Sequence, residues 1–214
     1  MSKADRAARR AELLGIGPTS TERPEARWPG ATARFALFGE VLAVGLMVTL
    51  LALPLVTIPL AFGVGIRHLR RFLRAESSTL GSAWSDTRRG FLGSLPIGFA
   101  LLVALLVLGI DLAVAADRII PFPDLVGLVG WLGLAVVAVT VLTASFHWAP
   151  ESGWRAALRL TPPTWRTDPA GVAYLLAAVA FVAVVSWQLA PLIVPGLGCL
   201  VFAIVAIPER PRRG

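Results

Sequence analysis

Residues 51–74 read LALPLVTIPLAFGVGIRHLRRFLR: an apolar run that carries two prolines and then four arginines. Pro54 and Pro59 each lack an amide hydrogen and disfavour helix at the residue before, so PLVTIP is a natural break. The pattern predicts a helix over 35–53, a break at 54–59 and a shorter helix from Leu60 that leaves as an amphipathic segment. Thr57, inside the break, can satisfy a freed carbonyl. Pro54, Thr57 and Pro59 are the candidate functional break. Three readings are open: a hairpin, a re-entrant segment, or a single kinked span.

The distribution of basic residues separates these readings. Of the 20 Lys and Arg, the tail to Arg34 holds seven, the connection 67–91 six and 149–169 three. The C-terminus holds three, 189–190 none, and 113–124 only Arg118, beside Asp117 and Asp124. Arg-rich loops stay in the cytoplasm. If block one turns back, both termini are cytoplasmic and the basic residues divide 19 to 1; if it crosses once, the basic tail lies outside.

A membrane environment follows from composition. The 214 residues are 56% hydrophobic and 15% charged, with mean hydropathy +0.74; a soluble domain carries about 25% charged residues. Five apolar blocks run from Phe35 to about Ile66, then over 91–115, 125–148, 170–188 and 191–207. Hydrocarbon about 30 Å thick needs roughly 20 helical residues, and backbone groups in lipid must pair internally. Strand alternation is absent. The expectation is an all-α polytopic transmembrane bundle over 35–207, between a basic tail at 1–34 and a short basic tail at 208–214, in the bacterial inner membrane. Trp131, Trp148, Trp154, Trp165 and Trp187 lie mostly near block ends, where an indole keeps one edge wet.

The net charge of +7 lies between apolar blocks, which speaks for loops touching anionic headgroups and against nucleic acid. One cysteine, Cys199, and two histidines, His68 and His147, give no disulfide framework and no metal-ligand spacing. No nucleophile–base pair, phosphate loop or dinucleotide fingerprint appears, so neither catalysis nor a cofactor is expected.

Four features remain. Arg67, Arg70, Arg71 and Arg74 spread around GIRHLRRFLR, as partner or headgroup contacts on an interfacial helix end. In SSTLGSAWSDTRRGF, Ser78 or Thr79 can cap a helix, and Trp84, Arg88 and Phe91 share a face, beside Arg89. ESGWRAALRLTPP reads as a second short helix, started by Ser152, with Trp154 and Leu158 on one face and Pro162 as its end. The two would form a cytoplasmic collar. Glu40 and Asp111 are the acids inside apolar blocks, either solvated at helix ends or functional at depth.

The run LPLVTIP followed by Ala61, a basic segment and AWSDTRRGF resembles the YesL-like family of small bacterial membrane proteins, a domain of unknown function. Leu53, Pro54, Val56, Thr57, Pro59, Ala61, Trp84, Arg89 and Phe91 carry the likeness, and WRAALRLTP is similar to the family's later basic helix. The resemblance implies a place near carbohydrate uptake, beside sugar importer subunits, and transfers no catalytic residue. The function expected is a non-enzymatic accessory or regulatory component of solute uptake; the alternative is a small self-contained transporter or channel, alone or as a homo-oligomer.

Overall fold

The computed structural model describes residues 34–118 and 120–210. The tail expected at 1–33 and residues 211–214 lie outside that range. Seven α-helices follow one another: α1 (Arg34–Ala52), α2 (Ile58–Leu73), α3 (Leu80–Ala116), α4 (Pro123–His147), α5 (Gly153–Thr167), α6 (Pro169–Gln188) and α7 (Ile193–Ala206). Short 3-10 turns flank α7 at Ala190–Leu192 and Ile207–Glu209. Among the described residues there is no strand. Five segments are long and apolar enough to cross a membrane: α1 from Phe35, α3, α4, α6, and α7 with its flanking turns. They match the five blocks.

The first block turns back on itself. α1 stops at Ala52, residues 53–57 form the turn, and α2 returns antiparallel. Leu55 closes the turn in the left-handed region, at φ 48°. Thr57 is buried and its hydroxyl donates to the Leu51 carbonyl, as the freed α1 terminus requires. Pro59 lies outside the break, in the first turn of α2, where its missing N–H costs nothing. The break is therefore shorter than 54–59. The described chain end at Arg210 lies at the same end of the molecule as Arg34, because α7 packs antiparallel on α1. Gly45 sits on the Val194 backbone and Gly198 on the Val41 carbonyl, contacts too close to admit a Cβ.

Two helices run further than expected. SSTLGSAWSDTRRGF is no separate helix: Thr79 caps α3, its side chain accepting from the Ser82 amide at 3.2 Å, and the helix continues for 37 residues. Nothing between Phe91 and Pro96 stops it, and Pro96 removes only one rung. At 1.5 Å per residue α3 is about 55 Å long, so its second half alone is long enough for the hydrocarbon and its first half carries Asp86, Arg88 and Arg89. α5 likewise passes through Pro162 and Pro163 to Thr167. The hydroxyls of Thr161, Thr164 and Thr167 donate back to the carbonyls of Ala157, Leu160 and Pro163. Ser152 precedes α5 but makes no side-chain cap.

One apolar core joins α1, α2, α4, α6 and α7 through Val44, Ile66, Leu142, Leu175 and Val201. A second joins α2, α3, α4 and α5 through Leu60, Val64, Trp148 and Trp154. The two tryptophans expected at a wet edge are thus core residues, stacked with centroids 5.8 Å apart. Trp148 lies over Gly63 and Gly90, where no Cβ would fit. Trp154 Nε1 donates to Ser94 Oγ at 2.7 Å and ties α5 to α3. Trp154→Phe should cost about 1 kcal/mol through that buried bond, read as a lower thermal midpoint in detergent with the secondary structure unchanged. Trp131 and Trp187 are exposed, as expected of membrane-facing indoles.

Candidate functional site

The polar side chains of the helices gather around α2, at the end where α1 begins and α4 stops. α2 presents small and apolar residues through its first two turns and then Arg67, His68, Arg70, Arg71 and Arg74. Its neighbours supply the opposite charges. Asp86, from the first half of α3, is buried and held by two arginines: Arg67 Nε at 3.1 Å and Arg71 Nη2 at 2.9 Å. Glu151, from the α4–α5 connection, approaches Arg67 at 3.9 Å. Two guanidinium groups share the one buried carboxylate, and Arg71 Nη1 is buried with no hydrogen-bond partner.

Arg70 points the other way. It donates to the Phe146 carbonyl at 3.0 Å, near the end of α4, and lies 3.7 Å from the centroid of the Phe146 ring. The bond satisfies a C-terminal carbonyl of α4 and places a cation at the negative end of its dipole.

Glu40 and His68 join the two arms of the hairpin. His68 is buried, and its Nε2 lies 2.8 Å from Glu40 Oε1. Nδ1 is buried without a partner. The acid in the first apolar block is thus a paired acid. Asp111, in contrast, sits half-buried in the second half of α3. The structure does not bring it near Glu40.

A cavity of about 270 Å³ opens beside this cluster, between α4, α5, α6 and α7. Its polar lining is spent internally. His147 Nε2 and Thr164 Oγ1 are 2.9 Å apart, and Trp165 Nε1 donates to Thr143 Oγ1 at 3.3 Å. Asp168 caps α6 by accepting from the Gly171 amide at 2.8 Å and holds Arg210 Nη1 at 2.9 Å. Among the described residues no group of three or more His, Cys, Asp and Glu could hold a metal ion.

The candidate contacts therefore divide in two. Arg67, Arg70 and Arg71 face inward and are half-buried and engaged. Arg74 is exposed, 4.0 Å from Glu76. Trp84, Arg88 and Arg89 are exposed on α3, and Arg155, Arg159 and Arg166 on α5. Arg88 lies 5.6 Å from the Trp84 ring centroid. Sequence reasoning did not find Asp86, Ser94 or the Glu40–His68 pair. Asp86 is the one acid between Glu76 and Asp111, a signal that was present.

The fold and this cluster define an all-α, multi-pass helical bundle of membrane-protein composition, held together at one end by buried ion pairs. Comparison with protein-family models, curated proteins and solved structures finds no match.

Proposed function

We propose that the chain is a non-enzymatic accessory component of a solute uptake system in the bacterial inner membrane, docking through the exposed arginines of α3 and α5. The carrying observation is how the polar groups are spent. The acids beside α2 are paired, Asp86 with Arg67 and Arg71 and Glu40 with His68. α7 offers no polar side chain except Cys199. A self-contained transporter needs polar groups left free along a path. The arginines that remain exposed suit an acidic partner surface.

Both described chain ends lie at the arginine-rich end, and the far α3–α4 turn carries Arg118 beside Asp117 and Asp124. The positive-inside rule makes the arginine-rich end cytoplasmic. Pro54 and Thr57 of the YesL-like motif line one cleft with Trp84 and Phe91 of α3; kinship with that family, and through it a carbohydrate importer as the partner, rests on the motif residues alone.

Crosslinking in native membranes, affinity purification and mass spectrometry test this reading. Stoichiometric recovery of importer subunits, reduced when Arg89, Arg155 and Arg159 are all replaced by Gln, is expected. Recovery of the chain alone as a defined oligomer, with solute flux in liposomes, would replace the accessory reading with a self-contained transporter.

A further inference from the structure

We propose that the cleft between the α1–α2 turn and the first half of α3 binds one anionic phospholipid, its phosphate on Arg88 and its acyl chain along the α1–α2 turn. The cleft encloses about 450 Å³. Leu50, Leu51, Pro54, Leu60 and Phe91 make its apolar part, with Trp84 and Arg88 alongside. The lining hydroxyls are already spent: Thr57 on the Leu51 carbonyl and Thr87 on the Ala83 carbonyl. Arg88 is the only charged lining residue, and none of its described contacts is with a carboxylate; it has the Trp84 ring alone.

The occupant follows from three properties. A guanidinium fork binds a phosphate through two parallel hydrogen bonds; in a zwitterionic headgroup the choline cation offsets the phosphate charge, so the attraction to Arg88 favours a headgroup of net negative charge. Trp84 is 58% exposed beside it, in the manner of an interfacial indole. Leu50 and Phe91, which line the cleft, are 57% and 42% exposed. A rim that apolar on a chain of this composition faces hydrocarbon, so the apolar part of the cleft takes an acyl chain and not a water-soluble solute. The site engages the break itself, since Pro54 and Thr57 line it. It stands independently of which protein the arginine-rich end docks.

Native mass spectrometry of the full chain in detergent tests the site. Phosphatidylglycerol is titrated in competition with phosphatidylcholine of the same chains. The wild type should retain phosphatidylglycerol preferentially. Arg88→Gln should weaken that binding about tenfold, the worth of one charge-assisted pair. Phe91→Gln, which keeps the arginine and makes the apolar lining polar, should weaken both lipids. Arg89→Gln, outside the cleft, should leave binding unchanged. The proposal is overturned if Arg88→Gln and Phe91→Gln both bind as the wild type does, or if Arg89→Gln weakens binding as much as Arg88→Gln. Displacement of the lipid by an equal concentration of inorganic phosphate would also overturn it, since the site would then be one for a free anion.

Discussion

Asp86→Ala should destabilise the bundle by about 3–5 kcal/mol, because breaking a buried ion pair leaves the partner charges uncompensated. Two guanidinium groups face the Asp86 carboxylate, which is only 6% exposed. The arginines keep about a fifth of their side-chain surface in contact with solvent, so the lower end of that range is expected. In a protein of this size the loss corresponds to roughly a 10 °C fall in thermal midpoint, measurable by fluorescence-detected gel filtration of heated samples. Asp86→Asn, which keeps an acceptor for one arginine, should lose less. Replacing all three residues together, Arg67→Met, Arg71→Leu and Asp86→Leu, should recover most of the stability, since the pair is costly to break but not costly to replace. A triple variant as unstable as Asp86→Ala would mean that the arginines stabilise the fold by contacts other than the aspartate.

The second large effect is expected at Gly98, halfway along α3. A Cβ there would overlap the carbonyl oxygen of Val56, so the α1–α2 turn rests directly on the α3 backbone. The obstacle is backbone and cannot rotate away. Gly98→Val should cost about 3 kcal/mol, the upper end of ordinary overpacking, and should increase protease cleavage at residues 53–57. Gly93, on the same helix with open space around it, is the control. Gly93→Ala should leave stability unchanged or raise it by about 0.5–1 kcal/mol through helix propensity. Equal losses at both positions would show that α3 tolerates no added side chain, and would remove the turn as the cause.

The five apolar helices could be read from the sequence because hydropathy over about 20 residues is a local property. So could the turn: Pro54 breaks α1 locally, and the arginines on both sides of block one fix its direction through charge. What escaped the sequence is tertiary. An arginine stripe on an amphipathic helix looks the same whether it meets water or an acid from another helix. Arg67 and Asp86 are 19 residues apart and Glu40 and His68 are 28 apart, so neither pair has a periodic signature. Gly63 and Gly65 were a usable hint, because small residues beside the arginines mark close neighbours: Trp148 over Gly63, and Val48 against Gly65. The helix ends at Phe91 and Pro162 were misjudged for a related reason. A proline weakens one rung, and packing through Ser94, Trp154 and Thr161 outweighs it.

The central claim is that the first block turns back, so that the start of α1 and the end of α2 lie together. The direct measurement is cysteine labelling with a membrane-impermeant maleimide in a Cys199→Ser background. Single cysteines at Phe35, Arg74 and Asp117, all exposed, are tested in right-side-out and inverted vesicles. The hairpin predicts that positions 35 and 74 react from one face and position 117 from the other. Labelling of positions 35 and 74 from opposite faces would mean that the block crosses once, and would contradict the account.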